Sequence, residues 1–466
     1  MAQTIETQLV VLGGGPGGYA AAFLAADRGI ETTLIEARER PGGVCLHCGC
    51  IPSKALLHAA KLITNAQEAD EWGLKFSTPE IDIDKLRTKK DKIVDVMSGH
   101  LAHVSKQKNI NYIQARGTFA DSQTLSLDNG DSVRFRNCIV ATGSQPTKIP
   151  LFDIGSDRVM DSTSILELKD IPESLLVIGG GYIGLEMGSV YAALGTKVSV
   201  VEFMDALLPA VDADLVKPLH RRLKRNFDKI MLGTKVVKLE DTGNGVKATF
   251  EGPKVKEPEI TYDRVLAAIG RRPNSKNIGL ENTKVEVDEK GFVKVDKQRR
   301  TTDPNIFAIG DIAGEPMLAH KASHEGKLAV QVIAGDRGVE WDVRAIPAVV
   351  FTDPEIAWAG LMENDAKQEG REVKTAFFDW KPSGRATTRG RNDGITKLVV
   401  DPETDQVLGI GLCGEEAGEM IGEAVLAIEM GATSRDIAMS IHAHPTLTET
   451  VMEASESLHG MATHIY

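Results

Sequence analysis

The 466-residue chain has a formal net charge of -12, with 42% hydrophobic and 26% charged residues. That balance belongs to a globular protein large enough for several domains, and it excludes a chain that stays disordered for want of apolar surface. No basic run offers itself to nucleic acid, no stretch reaches the roughly eighteen apolar residues of a membrane span, and the N-terminus shows no basic segment followed by an apolar one. The five cysteines, an odd number, do not make a secreted disulfide framework. Cys45, Cys48 and Cys50 cluster, whereas Cys138 and Cys413 stand alone.

In chain order, an apolar run at residues 8–12 ends in glycines, a helical pattern follows over 17–28, and a strand pattern over 33–36. The same succession returns at 175–178, from Gly179 to about Leu194, and at 198–202. Glu36 follows Gly13 by 23 positions and Glu202 follows Gly179 by 23; the whole unit recurs after 166. Two βαβ units predict two nucleotide-binding domains, each a parallel sheet flanked by helices. Three further strands end in glycine, at 139–143, 265–270 and 306–311. The stretch 252–258 reads as a hairpin loop. From about Arg344 the pattern changes to strands at 348–351, 397–400 and 407–412 with helices at 417–430 and 448–458, a separate α+β domain.

Gly13 to Gly18 contains G-x-G-x-x-G between a strand and a helix. Gly13 permits the tight turn, Gly15 lets a pyrophosphate approach the backbone, and Gly18 lets helix and strand pack closely. Phosphate would sit on the helix N-terminus, and Glu36 would accept hydrogen bonds from a ribose. Gly179, Gly181, Gly184 and Glu202 repeat the argument. A carboxylate at Glu202 repels a 2′-phosphate, and Phe203-Met204-Asp205 supply no arginine to hold one, so NAD is expected rather than NADP. On its own Glu202 is equally an ordinary strand-end carboxylate.

The segment Gly42 to Lys54, GGVCLHCGCIPSK, opens a helical stretch expected to run to about Ala69. Thiols in a first helical turn ionise more easily, and the thiolate is the form that attacks disulfides. Three cysteines with His47 also permit a zinc or iron–sulfur site.

This run resembles the active-site signature G-G-x-C-x-x-x-G-C-x-P-S-K of the pyridine nucleotide–disulfide oxidoreductase family, and the likeness extends over nearly the whole chain. It implies an α/β fold of two Rossmann-like dinucleotide-binding domains plus a C-terminal α+β dimerisation domain. The expected boundaries are 1–150 for the first part of the FAD domain, 151–271 for the NAD domain, 272–343 for the FAD/central part, and 344–466 for the interface domain. By the resemblance, Cys45 and Cys50 form a redox disulfide beside FAD, with Cys45 meeting the substrate and Cys50 the flavin, and no metal is expected. Cys48 departs from the pattern, as a spectator or as a partner in an alternative disulfide. Lys54 and Glu186 match a pair near the flavin. Thr142-Gly143, Asp311, Ala319 and Gly117 match further FAD contacts, and Val236 and Gly270 match contacts to NAD.

The run His444-Pro445-Thr446-Leu447-Thr448-Glu449 resembles the family's H-P-T-x-x-E segment. It implies that His444 is a base oriented by Glu449, with His442 an accessory at most. Taken without the resemblance, two histidines before a helix are ordinary caps or surface residues. The family's C-terminal domain forms a homodimer interface and lends its histidine to the other subunit, so the active sites would be shared. Residues 200–209 and 441–449 resemble the lipoamide branch. That implies oxidation of dihydrolipoyl groups by NAD+, and docking on the lipoyl domains and acyltransferase core of 2-oxoacid dehydrogenase complexes. The expected location is the cytoplasm, or the mitochondrial matrix after loss of a presequence. Tyr182 resembles instead the glutathione branch. A glutathione-reductase-like enzyme, an NADH oxidase or diaphorase, and a non-catalytic flavoprotein subunit are the competing readings. The paired thiols speak against the oxidase, and intact Lys54, His444 and Glu449 against the last.

Overall fold

The computed structural model describes residues 3–464. Its backbone separates into two compact units. The first comprises Met1–Ala55, Asp82–Thr147 and Gly270–Asp342; the second comprises Leu56–Ile81, Lys148–Ile269 and Val343–Tyr466.

In the first unit the strand Thr4–Leu12 lies between Thr32–Glu36 and Ser132–Val140, parallel to both. The sheet continues to Asn111–Gln114 on one side, and Ile306–Ala308 runs parallel beside the end of Ser132–Val140. The sequence shows why this strand is central. Leu9 and Val11 pack with Ala21, Ala22 and Ala25 on one face. Val10 and Leu12 pack with Phe119 and Leu125 on the other. A strand covered on both faces reads as an unbroken apolar run, which the sequence displays. Helix Pro16–Asp27 is rich in small residues, and it crosses helix Ala319–Ile333 closely. A Cβ on Gly326 would lie 2.5 Å from the Gly17 carbonyl oxygen.

The second unit repeats the theme. Strands Lys229–Met231, Lys197–Val201, Ser174–Ile178, Arg264–Ala267 and Val159–Met160 form a parallel sheet in that order. Three antiparallel strands follow, and the expected hairpin joins Val246–Glu251 to Glu259–Tyr262. The C-terminal portion is a five-stranded antiparallel sheet, ordered Ala348–Val350, Glu355–Gly360, Val407–Gly414, Ile395–Val400 and Lys374–Asp379. Its core includes Phe378, Trp380, Leu398, Ile410, Leu412 and Val451, so it buries the inner faces of helices Ala417–Met430 and Glu449–Ser457. Among the described residues no helix is long and apolar enough to cross a membrane.

Two sequence expectations need correction. The redox helix is not continuous: helix Gly43–Cys48 stops at Gly49, and helix Cys50–Glu68 starts anew. Gly49 has φ -147 and ψ -112, outside the helical region, and a Cβ there would stand 2.9 Å from the Val44 carbonyl oxygen. The strands Glu355–Gly360 and Lys374–Asp379 were not foreseen. The first alternates small alanines with larger residues, and the second is bounded by Lys374 and Asp379, so neither forms a dense apolar run.

Trp380 links this core to the C-terminal helix. Its indole N–H donates to Thr396 Oγ1 at 2.9 Å, the Thr396 hydroxyl to Thr450 Oγ1 at 2.8 Å, and the Thr450 hydroxyl to the Leu447 carbonyl at 2.7 Å. The ring lies flat on glycines; a Cβ on Gly414 would meet it at 2.1 Å. Gly414→Ala is therefore expected to destabilise the C-terminal domain by about 1–3 kcal/mol through overpacking. Denaturant unfolding followed by tryptophan fluorescence reads this, and an unchanged midpoint would contradict it.

Candidate active site

The two glycine turns are built alike. Gly13 has φ +108, and a Cβ there would lie 2.3 Å from the Ala141 carbonyl; Gly179 has φ +109, with Ala268 O at 2.4 Å. A Cβ on Gly18 would strike the Gly13 carbonyl at 1.8 Å, and one on Gly184 the Gly179 carbonyl at 2.3 Å. Only glycine fits at these four places. Each turn is closed by its acid. Glu36 accepts from the Gly14 N–H at 2.8 Å and the Arg38 N–H at 3.0 Å. Glu202 accepts from Gly180 at 2.6 Å and Met204 at 2.7 Å.

Helices Pro16–Asp27 and Tyr182–Ala193 begin at Gly15 and Gly181 with no side-chain cap and no acid in the first turn. Their first N–H groups and dipoles stay available to an anion, which fits a dinucleotide pyrophosphate at each turn.

The cysteine segment is fastened to the first turn. Gly42 N–H donates to the Gly14 carbonyl at 2.7 Å, and Gly43 packs so closely on Gly15 that a Cβ would lie 2.5 Å from its Cα. From this anchor, helix Gly43–Cys48 carries Cys45 in its first turn. Both sulfurs are free thiols, and they are hydrogen-bonded to one another. That hydrogen bond, then burial, pushes the Cys45 thiol up, against the opposing pull of the Lys54 charge. Cys48 points elsewhere, accepting from the Arg38 guanidinium at 3.2 Å. Among the described residues no group of three His, Cys, Asp or Glu is placed to hold a metal ion.

The sequence did not single out Tyr19, which follows Gly18 directly. Burial, and then Cys45 and Cys50, push its phenol up, so it lies within electrostatic reach of both sulfurs.

Other candidates of the first unit converge through partners that carry no motif of their own. Asn274 holds Thr142 and Gly143: its Nδ2 donates to Thr142 O at 2.9 Å, and its N–H to Gly143 O. Asp311 accepts from the Ser144 hydroxyl at 2.5 Å, and Ser144 Oγ accepts from Arg271 at 2.8 Å. Glu325, fully buried, takes the Gly310 N–H at 2.6 Å while paired with Arg299 and Lys321. It thereby sets the turn carrying Asp311. Ala319 begins the helix that crosses the first glycine helix, and Ser323 on it donates to the Pro16 carbonyl. Gly117 is buried at the start of its strand, where a Cβ would press on Leu12 at 2.9 Å.

In the second unit, Glu186 is buried and accepts from the Phe351 N–H at 3.0 Å. Val236 packs its side chain into the core beside Ile178 and Val201. Gly270, with φ +107, falls in the last segment of the first unit, unlike Gly179, Gly181, Gly184, Glu202 and Val236. His444 Nδ1 lies 2.9 Å from Glu449 Oε1, and the other carboxylate oxygen accepts from the Thr446 N–H at 2.7 Å. With Nδ1–H given to the carboxylate, the neutral ring keeps Nε2 as its proton acceptor. The His444 side chain is 75% exposed. Leu426, Met430, Met439 and the fully exposed Ile441 are exposed apolar side chains of the same C-terminal portion. Cys138 and Cys413 are buried, and burial pushes both thiols up, as core cysteines rather than nucleophiles.

Paired thiols fastened to one of two duplicated nucleotide turns define a dithiol–disulfide oxidoreductase architecture. Residues 7–326 match the pyridine nucleotide-disulphide oxidoreductase family, and residues 346–455 match the dimerisation domain of that family. The chain belongs to the pyridine nucleotide-disulphide oxidoreductase family. It is 48% identical over 466 residues to dihydrolipoyl dehydrogenase of Vibrio parahaemolyticus, covering 99% of this chain and 98% of the relative. It is 43% identical over 465 residues to dihydrolipoyl dehydrogenase of Bacillus subtilis, covering 99% and 98%. Among solved structures, LpdA from Mycobacterium tuberculosis superposes with a TM-score of 0.89 at 25% identity over 97% of this chain and 99% of that one. The HOCl-induced flavoprotein disulfide reductase RclA from Escherichia coli gives 0.86 at 26% identity over 96% and 99%.

The environment of Glu202 generates a test. Replacing Glu202 and the exposed Phe203 by arginine removes the carboxylate and supplies partners for a 2′-phosphate. We expect the kcat/KM ratio of NADP to NAD to rise by about tenfold or more, equivalent to roughly 1.4 kcal/mol or more. An unaltered ratio would remove Glu202 from the nucleotide site.

Proposed function

We propose that this chain oxidises dihydrolipoyl groups with NAD+, by way of a Cys45–Cys50 disulfide and FAD. The observation that carries the reading is the hydrogen-bonded thiol pair on a segment fastened to the first glycine turn. Relatives named dihydrolipoyl dehydrogenase, 40% to 48% identical over nearly the full chain, support the choice of dithiol.

FAD at the first turn would be held by Gly13, Gly15, Gly18 and Glu36, and NAD at the second by Gly179, Gly181, Gly184 and Glu202. When bound, the flavin supplies an acceptor for the two electrons of the dithiol and a hydride donor to NAD+. The protein's own steps are sulfur and proton chemistry. His444 Nε2 takes the proton of one substrate thiol, and Glu449 stabilises the resulting imidazolium. The substrate thiolate attacks Cys45 Sγ; the Cys45–Cys50 bond breaks and Cys50 leaves as a thiolate. The second substrate thiol then displaces Cys45 and closes the substrate disulfide, and the two protons released leave two enzyme thiols. The Lys54 charge pulls the Cys45 thiol down and so favours a thiolate at Cys45.

The match to the family's dimerisation domain supports a homodimer. The exposed His444 and the apolar surface at Leu426, Met430 and Ile441 support a site completed by the partner subunit. Lipoyl domains and the acyltransferase core of a cytoplasmic 2-oxoacid dehydrogenase complex are the proposed partners.

Cys45→Ser and Cys50→Ser are each expected to abolish NAD+ reduction by dihydrolipoamide while the purified protein stays yellow with flavin. Substantial turnover by either variant would eliminate the disulfide mechanism. His444→Gln should slow dithiol exchange by about 10²- to 10⁴-fold and leave flavin reduction by NADH intact; stopped-flow traces of the two half-reactions separate these effects.

A further inference from the structure

Two residues before the exposed His444, the His442 ring is turned inward, with its side chain only 9% exposed. Its Nδ1 lies 2.8 Å from the Ser440 carbonyl and its Nε2 lies 2.7 Å from Glu423 Oε1. A carbonyl oxygen only accepts, and an ionised carboxylate only accepts. Both ring nitrogens must therefore donate, and a histidine that donates twice is an imidazolium. Ser440 is itself tied back, its hydroxyl donating to the Asp436 carbonyl at 2.8 Å and its N–H to Ile437. Glu423 stands on helix Ala417–Met430. The ring thus clips the loop leading to His444 onto one helix while its anchor grips the end of helix Ser434–Met439.

We propose that His442 is a positioning residue, a charged clip that fixes the loop bearing His444 and balances the carboxylates around the His444–Glu449 pair. The proposal deepens the reading of His444 as the base and rests on it.

The electrostatics agree with the geometry. The Glu423 hydrogen bond raises His442 above an ordinary histidine against the opposing effect of burial, with the Ser440 carbonyl and the charges of Glu423 and Glu449 adding to the rise. Glu456, on the same helix as Glu449, also feels His442. Burial and Glu453 push it up, while His464 and His442 pull it down. One Glu456 carboxylate oxygen is buried without a hydrogen-bond partner, and His464, then His442, offset part of that burial. His442 is therefore faced by Glu423, Glu449 and Glu456, and His444 sits at the edge of that group. Because its pKa is raised on folding, the stabilisation from the clip is complete below the ordinary histidine pKa. It fades as pH climbs through the raised value.

The test uses the holoenzyme with dihydrolipoamide and NAD+, following kcat/KM against pH for the wild type, H442Q, H442K, E423Q and H444Q. Removing the cation in H442Q deepens the negative field at His444, so the acidic limb should move up by roughly half a pH unit. Below the limb that is an approximately threefold slower exchange. At alkaline pH, where the wild-type ring also loses its proton, the two profiles should converge. H442K, which keeps a positive charge, should hold the limb near its wild-type place. E423Q removes an anion together with the ring's reason to stay charged, so its limb should stay at or below its wild-type place; H442N, measured alongside, removes the cation as H442Q does and carries the test if H442Q yields no folded protein. A wild-type profile in H442Q and H442N, or an E423Q limb raised as far as that expected for H442Q, with H444Q slow, overturns the role of His442 alone. Exchange at the wild-type rate in H444Q would overturn the base assignment itself.

Discussion

Everything in the redox half of this protein depends on one backbone contact, the hydrogen bond from Gly42 N–H to the Gly14 carbonyl with Gly43 pressed on Gly15. A single such bond contributes only about 1 kcal/mol. Its importance is positional, because it joins the segment that carries sulfur to the turn that receives phosphate. No side chain larger than hydrogen fits at Gly43, whose Cβ would lie 2.5 Å from the Gly15 Cα. The chemistry of the thiols and the placement of the dinucleotide are consequently a single structural problem, solved by backbone alone.

The second constraint is duplication. The two glycine turns agree not just in glycine spacing but in which carbonyl each crowds and which N–H each acid accepts. The copies differ in what has been added. The first has a cysteine segment fastened to it, and the second has an exposed Phe203 and Met204 beyond its acid. One local solution to binding a dinucleotide is used twice, and the difference in task arises outside it. The C-terminal sheet has another job: through Trp380, Thr396 and Thr450 its core reaches the first turn of the helix that bears Glu449.

Much of this was legible in the sequence, for a physical reason. Strands buried on both faces are dense in Val, Ile and Leu, and turns that crowd a carbonyl admit only glycine. Both βαβ units and helix Ala417–Met430 were therefore plain. The pairing of His444 with Glu449 came from resemblance rather than from pattern, and the structure shows the two in hydrogen-bond contact. What escaped were contacts between residues far apart in sequence. Asn274 gripping Thr142 and Glu325 gripping Gly310 join positions that no local spacing relates. Tyr19 was hidden differently: a tyrosine inside an apolar, alanine-rich helix reads as ordinary packing until its neighbours are known. The break at Gly49 was missed because one glycine inside a helical pattern is usually tolerated.

The acid at the second turn has a consequence that reaches beyond this molecule. Glu202 accepts two backbone hydrogen bonds, so its carboxylate is held in place, where the proposed nucleotide site would set it against a phosphorylated ribose. Cells keep phosphorylated and unphosphorylated pyridine nucleotides at different degrees of reduction. A protein able to exchange electrons with both would short-circuit the two reservoirs. On the proposed reading, a single immobilised carboxylate is what keeps the protein from becoming that leak.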